Sequence, residues 1–456
     1  MKYRNLVIDD AKDLMFGRAP FPVTTPRGLV IGGGQVYPEL NFTLPPMSIT
    51  KDNYGEVKDH YREIITNALL RARELHQEGV VFEFETLLEM TLDPLLGVEL
   101  VVLMNDLCED AYQKHGVKSE LRLTPNDTRD FDRPVRMRTS KYLDNMLILF
   151  EQGARAGGNL LSIESTGGKE VHDEALMNCN IKEVIFALSV LGVRDMRFLW
   201  SKIVEIAHRT GTIPGGDTAC GFGNTAMVLA EQHYIPRVFA AIVRIVTVVR
   251  TLVALEEGAL GPDKDCGYEG PFLKAITGRP ISMEGRSSAG AHFSPVGNVA
   301  GACCDLWSNE SIANIKLLSG MAPTVAMEQL VYDVRLFNEA SRQKTHSFFR
   351  DVMVESDIHL DPQALILAPQ HVVEISRAIV SGNNHVEAAI LGAIKGLEII
   401  RDHVAEGSLL LEDREIGWLD ILDEELHVLP RDEGSLVDAV LPDLDTSKVM
   451  LAEYGL

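Results

Sequence analysis

From about residue 53 onward the chain alternates helix-like and strand-like segments, and this alternation constrains the fold more than any other feature. Asn53 to Gln77 carries apolar residues at helical spacing, and GVVFEF (Gly79 to Phe84) follows as a short apolar strand. Val98 to His115 and Ser140 to Ala156 repeat the helical pattern, and the strand candidates SELRLT and NLLSIES follow them in turn. Two helical stretches, Ile181 to Leu191 and Met196 to Thr210, precede TGTIPGG. Asn224 to Leu229 and Val238 to Val249 are helical, and the chain then reads as running into a strand in LVALEEGALG. PISMEG, near Ile281 to Met283, is a further strand candidate. Repeated strand–loop–helix units with apolar strands imply a parallel sheet covered by helices. Such a sheet is either open and doubly wound or closed into an α/β TIM (β/α)8 barrel. No nucleotide-binding fingerprint is present, which favours the barrel.

The flanks differ in character. Residues 1–55 are rich in Pro and Gly (RAPFPVTTPRG, IGGGQ, TLPP) and read as an irregular arm before a barrel domain spanning 56–360. Residues 361–456 read as a helical extension: two helical runs separated by SGNNH, then a strongly acidic segment.

At 456 residues, with 46% hydrophobic and 24% charged residues, the chain has the composition of a globular protein. Its formal charge of −23 argues against a nucleic acid or an anionic membrane as partner, because both select clustered Lys and Arg. The first residues, MKYRNLVIDDAKD, lack the apolar core of a secretory signal. The longest apolar span, Val238 to Leu255, is interrupted by Arg244 and Arg250 and reads as buried rather than membrane-crossing. Six cysteines in a chain of this size do not form a disulfide framework. Reduced thiols in a cytoplasmic setting are expected, which leaves cysteines available as ligands.

Three stretches carry the candidate chemistry: LLSIESTGGKE around Glu164, GTIPGGDTAC around Cys220 and GALGPDKDCGYE around Cys266. Each residue falls just after a strand candidate, and a barrel gathers the loops that follow its strands on one face. Two thiolates and one carboxylate select zinc, and three protein ligands leave a fourth position open, as in catalytic zinc sites. Their separation in sequence makes no short motif, and a buried cysteine is more commonly a small hydrophobe. The pair Cys303–Cys304 in NVAGACCDLWSNES competes, since it resembles the paired zinc ligands of homocysteine methyltransferases. Adjacent side chains on a regular element point apart, so tight packing is the simpler reading of that pair. IGGGQVY fits no phosphate-loop pattern and reads as a turn. His172 and His292 are the histidines nearest the candidate loops and read as surface or hydrogen-bonding groups. Asp217 and Asp265 precede the two cysteines, placed to orient a ligand, relay a proton or cap a turn.

Taken together, GLVIGGGQVYPELNF, LLSIESTGGKEV, TGTIPGGDTAC, GALGPDKDCGYE, KAITGRPISMEG and CCDLWSNES resemble the methanol:corrinoid methyltransferases, in the same order, over about residues 28 to 311. Weaker similarity continues through the helical tail. The resemblance implies a TIM barrel with zinc on Glu164, Cys220 and Cys266, and it implies that the Cys303–Cys304 pair is not the metal site. It further implies activation of methanol and methyl transfer to Co(I) of a corrinoid on a partner protein. Paired zinc subunits within a larger hetero-oligomer are also implied. No D-x-H-x-x-G corrinoid fingerprint occurs in the chain, in keeping with a corrinoid carried elsewhere. Asp217 is the candidate proton donor to the departing oxygen. The alternatives are another methyl donor, a thiol acceptor, or an inactive scaffold for a corrinoid protein.

Overall fold

The computed structural model of the protein describes residues 1–456 apart from 45, 46, 51 and 266, and apart from the side chain of 265. Eight parallel strands form one sheet: β1 (Tyr37–Asn41), β2 (Gly79–Glu85), β3 (Lys118–Thr124), β4 (Leu160–Ile163), β5 (Ile213–Asp217), β6 (Asp263–Asp265), β7 (Ile281–Glu284) and β8 (Leu306–Asn309). Their order is β5-β4-β3-β2-β1-β8-β7-β6, with every pair parallel. The two ends of this row meet. Leu260 N–H donates to the carbonyl of Pro214 at 2.7 Å, and Gly261 N–H donates to that of Gly215 at 2.8 Å, which joins the approach to β6 onto β5 and closes a (β/α)8 barrel.

The helices between strands are set by local chemistry. The helix Lys141–Arg155 starts on Ser140, whose hydroxyl accepts from Leu143 N–H. The helices Pro94–His115 and Val193–Thr210 end on Gly116 (φ 72°) and Gly211 (φ 71°), left-handed positions that turn the chain directly into β3 and β5.

Side chains of alternate strand residues point into the barrel. At the amino end the interior is apolar: Tyr37, Val81, Leu160 and Leu306 pack with Leu29 and Ile31 of an antiparallel hairpin (Arg18–Thr24 with Val30–Gly33). In the middle it is polar. Arg122 Nε donates to Glu39 Oε1 at 2.5 Å, and its Nη1 donates to Ser162 Oγ and the Pro262 carbonyl, both at 2.8 Å. A charge pair this deep is tolerable because its donors and acceptors are bonded.

Two readings from sequence change here. The first barrel strand, β1, lies inside the segment expected to be an irregular arm, and the hairpin beside it plugs the barrel. Its sequence YPELN hid it, because the inward residue Glu39 is polar. Likewise LVALEE is not a strand: Arg237–Glu257 is one 21-residue helix. It is long and apolar enough to cross a membrane, yet its apolar window is wholly buried in the protein. The helices Val193–Thr210, Cys220–Glu231 and His385–Ala405 all pack on it, so no side faces water. Its two buried arginines are used internally, Arg244 on Gln363 Oε1 (3.0 Å) and Arg250 on the loop after β4.

Beyond the barrel, the helices Pro369–Ser381 and His385–Ala405 pack against each other, and the second lies along Arg237–Glu257. Gly396 permits that approach, since a Cβ there would stand 2.2 Å from Ile245 Cδ1.

Candidate functional site

Glu164 follows β4 directly, and Cys220 is the first residue of the helix Cys220–Glu231 just beyond β5. Cys266 follows β6 and lies outside the described residues. β4 pairs with β5, with Ile163 opposite Asp217, and β5 adjoins the approach to β6 through the closing bonds. Glu164 and Cys220 therefore follow two adjacent strands at the carboxyl rim, and β6, which precedes position 266 in sequence, is the next strand around the barrel.

The residues flanking position 266 contact the other two candidates. Lys264, on β6, donates to Glu164 Oε1 at 2.7 Å. Tyr268 packs against Cys220, and both are buried. Gly223 makes room for the Tyr268 ring, which a Cβ there would meet at 2.6 Å. Cys220 Sγ accepts from Thr218 Oγ1 at 3.0 Å, and its N–H donates to the same oxygen at 3.1 Å. Cys220 thus opens its helix with a hydroxyl donor directed at its sulfur.

The loop after Glu164 is fixed residue by residue. Ser165 donates from its hydroxyl to Asp217 Oδ2 (2.7 Å) and from its N–H to Oδ1 (3.2 Å). Arg250 donates to Ser165 Oγ at 2.6 Å. Thr166 N–H donates to Asp127 Oδ2 at 2.9 Å, and Asp127 is in turn gripped by Arg129, which also holds Asp195. A Cβ on Gly167 would overlap the Asp195 carboxylate at 2.3 Å. Gly168 N–H donates to the hydroxyl of Tyr454, near the far end of the chain, at 2.9 Å.

Asp217, the candidate proton donor, is fully buried and occupied on both oxygens. Trp200 Nε1 (2.8 Å) joins Ser165 on Oδ2, while Thr218 N–H (2.9 Å) and Arg250 (3.5 Å) join Ser165 on Oδ1. Burial raises its pKa, against the pull of Arg250 and these donors. The carboxylate ties the loops after β4 and β5 together.

The rim is acidic throughout. Lys264 lies 3.3 Å from Glu83 and 3.5 Å from Glu85 as well as on Glu164. Burial opposes its charge, but these carboxylates outweigh burial and hold its pKa well above that of ordinary lysine. Lys264 pulls Glu85 downward, yet burial and the charges of Glu164 and Glu83 carry it to about 7. Glu284 ends β7, Glu310 follows β8, and His292 Nε2 lies 3.2 Å from Glu310 Oε2. The hydrogen bond to Glu310 raises the His292 pKa despite burial. A cavity of about 240 Å³ opens beside Glu164, with Glu85, Asp127, Phe131 and Thr166 in its wall, a volume suited to a very small substrate. Sequence reasoning passed over Glu83, Glu85, Lys264, Glu284 and Glu310. The available signal was a charged residue at or just past the end of several strands, as in FEFE, SMEG and SNES.

The remaining candidates lie elsewhere. His172 is buried beneath the ring of Phe222, with Nδ1 3.2 Å from Asp173. Cys303 and Cys304 are buried at the amino end of β8, away from the carboxyl rim. Their carbonyls accept from Lys274 Nζ (2.6 Å) and Gly17 N–H (2.7 Å). Burial pushes the Cys304 thiol well above its usual range. The pair packs tightly, as its adjacency in sequence suggested.

A closed parallel barrel whose polar groups gather at the carboxyl ends of its strands is the arrangement of TIM-barrel enzymes. The model of one methyltransferase family, the methanol-cobalamin methyltransferase B subunit, matches residues 1–455, and the chain belongs to that family. It is 35% identical to the methanol–corrinoid protein co-methyltransferase of Methanosarcina barkeri, over 96% of this chain and 95% of that protein. It also superposes on the crystal structure of the methanol:cobalamin methyltransferase complex MtaBC from Methanosarcina barkeri. The TM-score there is 0.95 at 34% identity, covering 100% of this chain and 99% of that one.

Proposed function

We propose that this chain activates methanol at a zinc ion held by Glu164, Cys220 and Cys266, and passes the methyl group to Co(I) of a corrinoid on a separate protein. Family membership supports the methanol–corrinoid chemistry. The observation that carries the site is the pair of contacts flanking position 266, Lys264 to Glu164 and Tyr268 to Cys220. They bring the chain on both sides of Cys266 against the other two ligands.

The donor set fits zinc: a thiolate at a helix N-terminus, a carboxylate with one oxygen oriented by lysine, and a second cysteine. Zinc bound there supplies a Lewis acid to the methanol oxygen, stabilising negative charge as the C–O bond breaks. The protein's own residues position and exclude water. Lys264 fixes the Glu164 carboxylate, Thr218 keeps the Cys220 sulfur oriented, and Asp217, Asp127 and Tyr454 hold the intervening loop. Two thiolates would blunt the electrophilicity of a zinc held there, so positioning in the small cavity beside Glu164 would carry much of the acceleration. Asp217 is a positioning residue in this reading, because its oxygens are already occupied. The corrinoid protein docks over the carboxyl rim, the zinc subunits pair within the larger assembly, and the complex works in the cytoplasm.

Zinc content of purified wild type, Cys220→Ala, Cys266→Ala and Cys303→Ala, with methanol-dependent methylation of the Co(I) corrinoid protein, tests the proposal. Zinc and activity are expected to vanish in the first two variants and persist in Cys303→Ala. Full zinc retention in Cys220→Ala, or loss confined to Cys303→Ala, overturns it.

A further inference from the structure

The rim continues past β6 into a second group of donors that the zinc reading does not use. Glu284 at the end of β7, Glu310 just after β8, and His292 in the intervening loop each present one donor atom, all within 4.8 Å of one another. We infer that Glu284, His292 and Glu310 form a second cation site, for a divalent transition-metal ion such as Zn2+ or Mn2+. This site is separate from Glu164, Cys220 and Cys266, and its existence does not depend on theirs.

Three observations carry the assignment. The first is geometric. Two donors bound to one tetrahedral ion at about 2 Å lie about 3.3 Å apart, and His292 Nε2 and Glu310 Oε2 are 3.2 Å apart. The Ser288 hydroxyl donates to Glu284 Oε2 and lies 3.5 Å from His292 Nδ1, so one residue orients both ligands and leaves Nε2 toward Glu310.

The second is an unmet demand. Glu284 is only 3% exposed, and its Oε1 has no hydrogen-bond partner among the described residues. A buried carboxyl oxygen with no partner is destabilising, and a bound cation removes that penalty.

The third is charge. Five carboxylates, from Glu83, Glu85, Glu164, Glu284 and Glu310, share this end of the barrel. Lys264 lies within 4 Å of the first three and not of Glu284 or Glu310. Among the described residues, His292 is the one basic group paired with Glu310, and none pairs with Glu284. The mixture of two carboxylates and an imidazole selects Zn2+ or Mn2+ over Mg2+ and Ca2+. His292 and Glu310 are partly open to solvent, which gives the ion an entry path.

The test is metal stoichiometry of the intact protein by elemental mass spectrometry after equilibrium dialysis against micromolar Zn2+, and separately against Mn2+. The variants are His292→Ala, Glu310→Gln and Cys220→Ser. Wild type is expected to bind two equivalents of Zn2+. His292→Ala and Glu310→Gln are expected to bind one, retaining the equivalent that Cys220→Ser loses. Glu310→Gln is the guard against misfolding, since its side chain is partly exposed and the change keeps its size. Bound Mn2+, read by paramagnetic resonance, is expected in wild type and Cys220→Ser and absent from His292→Ala. One equivalent in wild type, unchanged in His292→Ala and Glu310→Gln and lost in Cys220→Ser, overturns the second site while leaving the zinc proposal standing. The converse, one equivalent lost only in His292→Ala and Glu310→Gln, overturns the thiolate site and keeps this one.

Discussion

Asp217 shows what single residues do at this rim. One buried carboxylate receives Trp200 and the Ser165 hydroxyl on one oxygen, and the Ser165 and Thr218 amides on the other. Those bonds fix the two loops that carry Glu164 and Cys220. Asp217→Asn keeps the shape but replaces an acceptor oxygen with an NH2 that faces existing donors, so both loops loosen. For the proposed zinc on Glu164 and Cys220, losing a partner that orients its ligands costs roughly 10–100-fold in metal affinity. Competition with a zinc chelator is expected to show a loss of that size in Asp217→Asn, with the circular dichroism spectrum unchanged; wild-type affinity would remove Asp217 from the positioning network. At this scale the sequence offers Glu164, Cys220 and Cys266 as candidates because they stand in glycine-rich turns after strands, but it does not offer Lys264. A lysine in the run DKD reads as a solvated loop, and only barrel closure reveals that it points inward at three glutamates.

The same physics decided which elements could be read. β2, β3 and β4 carry enough apolar residues to announce themselves, whereas β1, β6 and β8 were obscured. YPELN, DKD and LWSN carry inward or strand-end polar groups in place of an apolar run. Helix Arg237–Glu257 misled for the opposite reason, since burial on all sides erases helical periodicity. Its packing yields a paired prediction. Gly396→Val forces a side chain into Ile245 and is expected to destabilise by about 1–3 kcal/mol. Gly417→Ala lies on the exposed face of the helix Asp413–Val428 with open space around it, and is expected to stabilise by about 0.5–1 kcal/mol. Urea midpoints measure both, and equal effects would refute the packing argument. Helix Pro369–Ser381 adds a pH dependence. Burial, with the neighbouring His403, lowers the His371 pKa to about 4, and neither ring nitrogen has a partner among the described residues. The unfolded chain titrates near 6.5, so between about 6.5 and 4 it binds the proton that the folded form refuses. Stability is therefore lost as pH falls through that window, by about 2 kcal/mol at pH 5. In His371→Leu the drop in urea midpoint from pH 8 to pH 5 should shrink accordingly; an undiminished drop would place the acid sensitivity elsewhere.

Across the whole molecule, residues near the end of the sequence complete a loop that begins almost 300 residues earlier. Glu453 accepts from Arg138 N–H at 2.6 Å, and Arg194 donates to the carbonyls of Tyr454 at 3.1 Å and Gly455 at 2.7 Å. Thus clamped, Tyr454 offers its hydroxyl to Gly168 N–H, four residues past Glu164. The helical extension is therefore coupled to the rim it does not line, a link that no local pattern in an acidic tail could disclose. Two changes separate its parts. Tyr454→Phe removes one buried hydrogen bond and leaves the Gly168 amide unmet, a cost of about 1–3 kcal/mol that falls on the loop more than on the fold. Deleting residues 450–456 also removes the ring and the Glu453 clamp, so the loop from Glu164 to Gly168 should open more often while the barrel, closed by β5 and β6, persists. Amide hydrogen exchange is expected to rise at 165–168 in both variants, further in the deletion, with strands β1 to β3 as protected as in wild type. Zinc release to a chelator should accelerate in the same order. Unchanged exchange at 165–168 in the deletion would show that Asp127, Asp217 and Arg250 alone hold the loop, and that the tail serves another end.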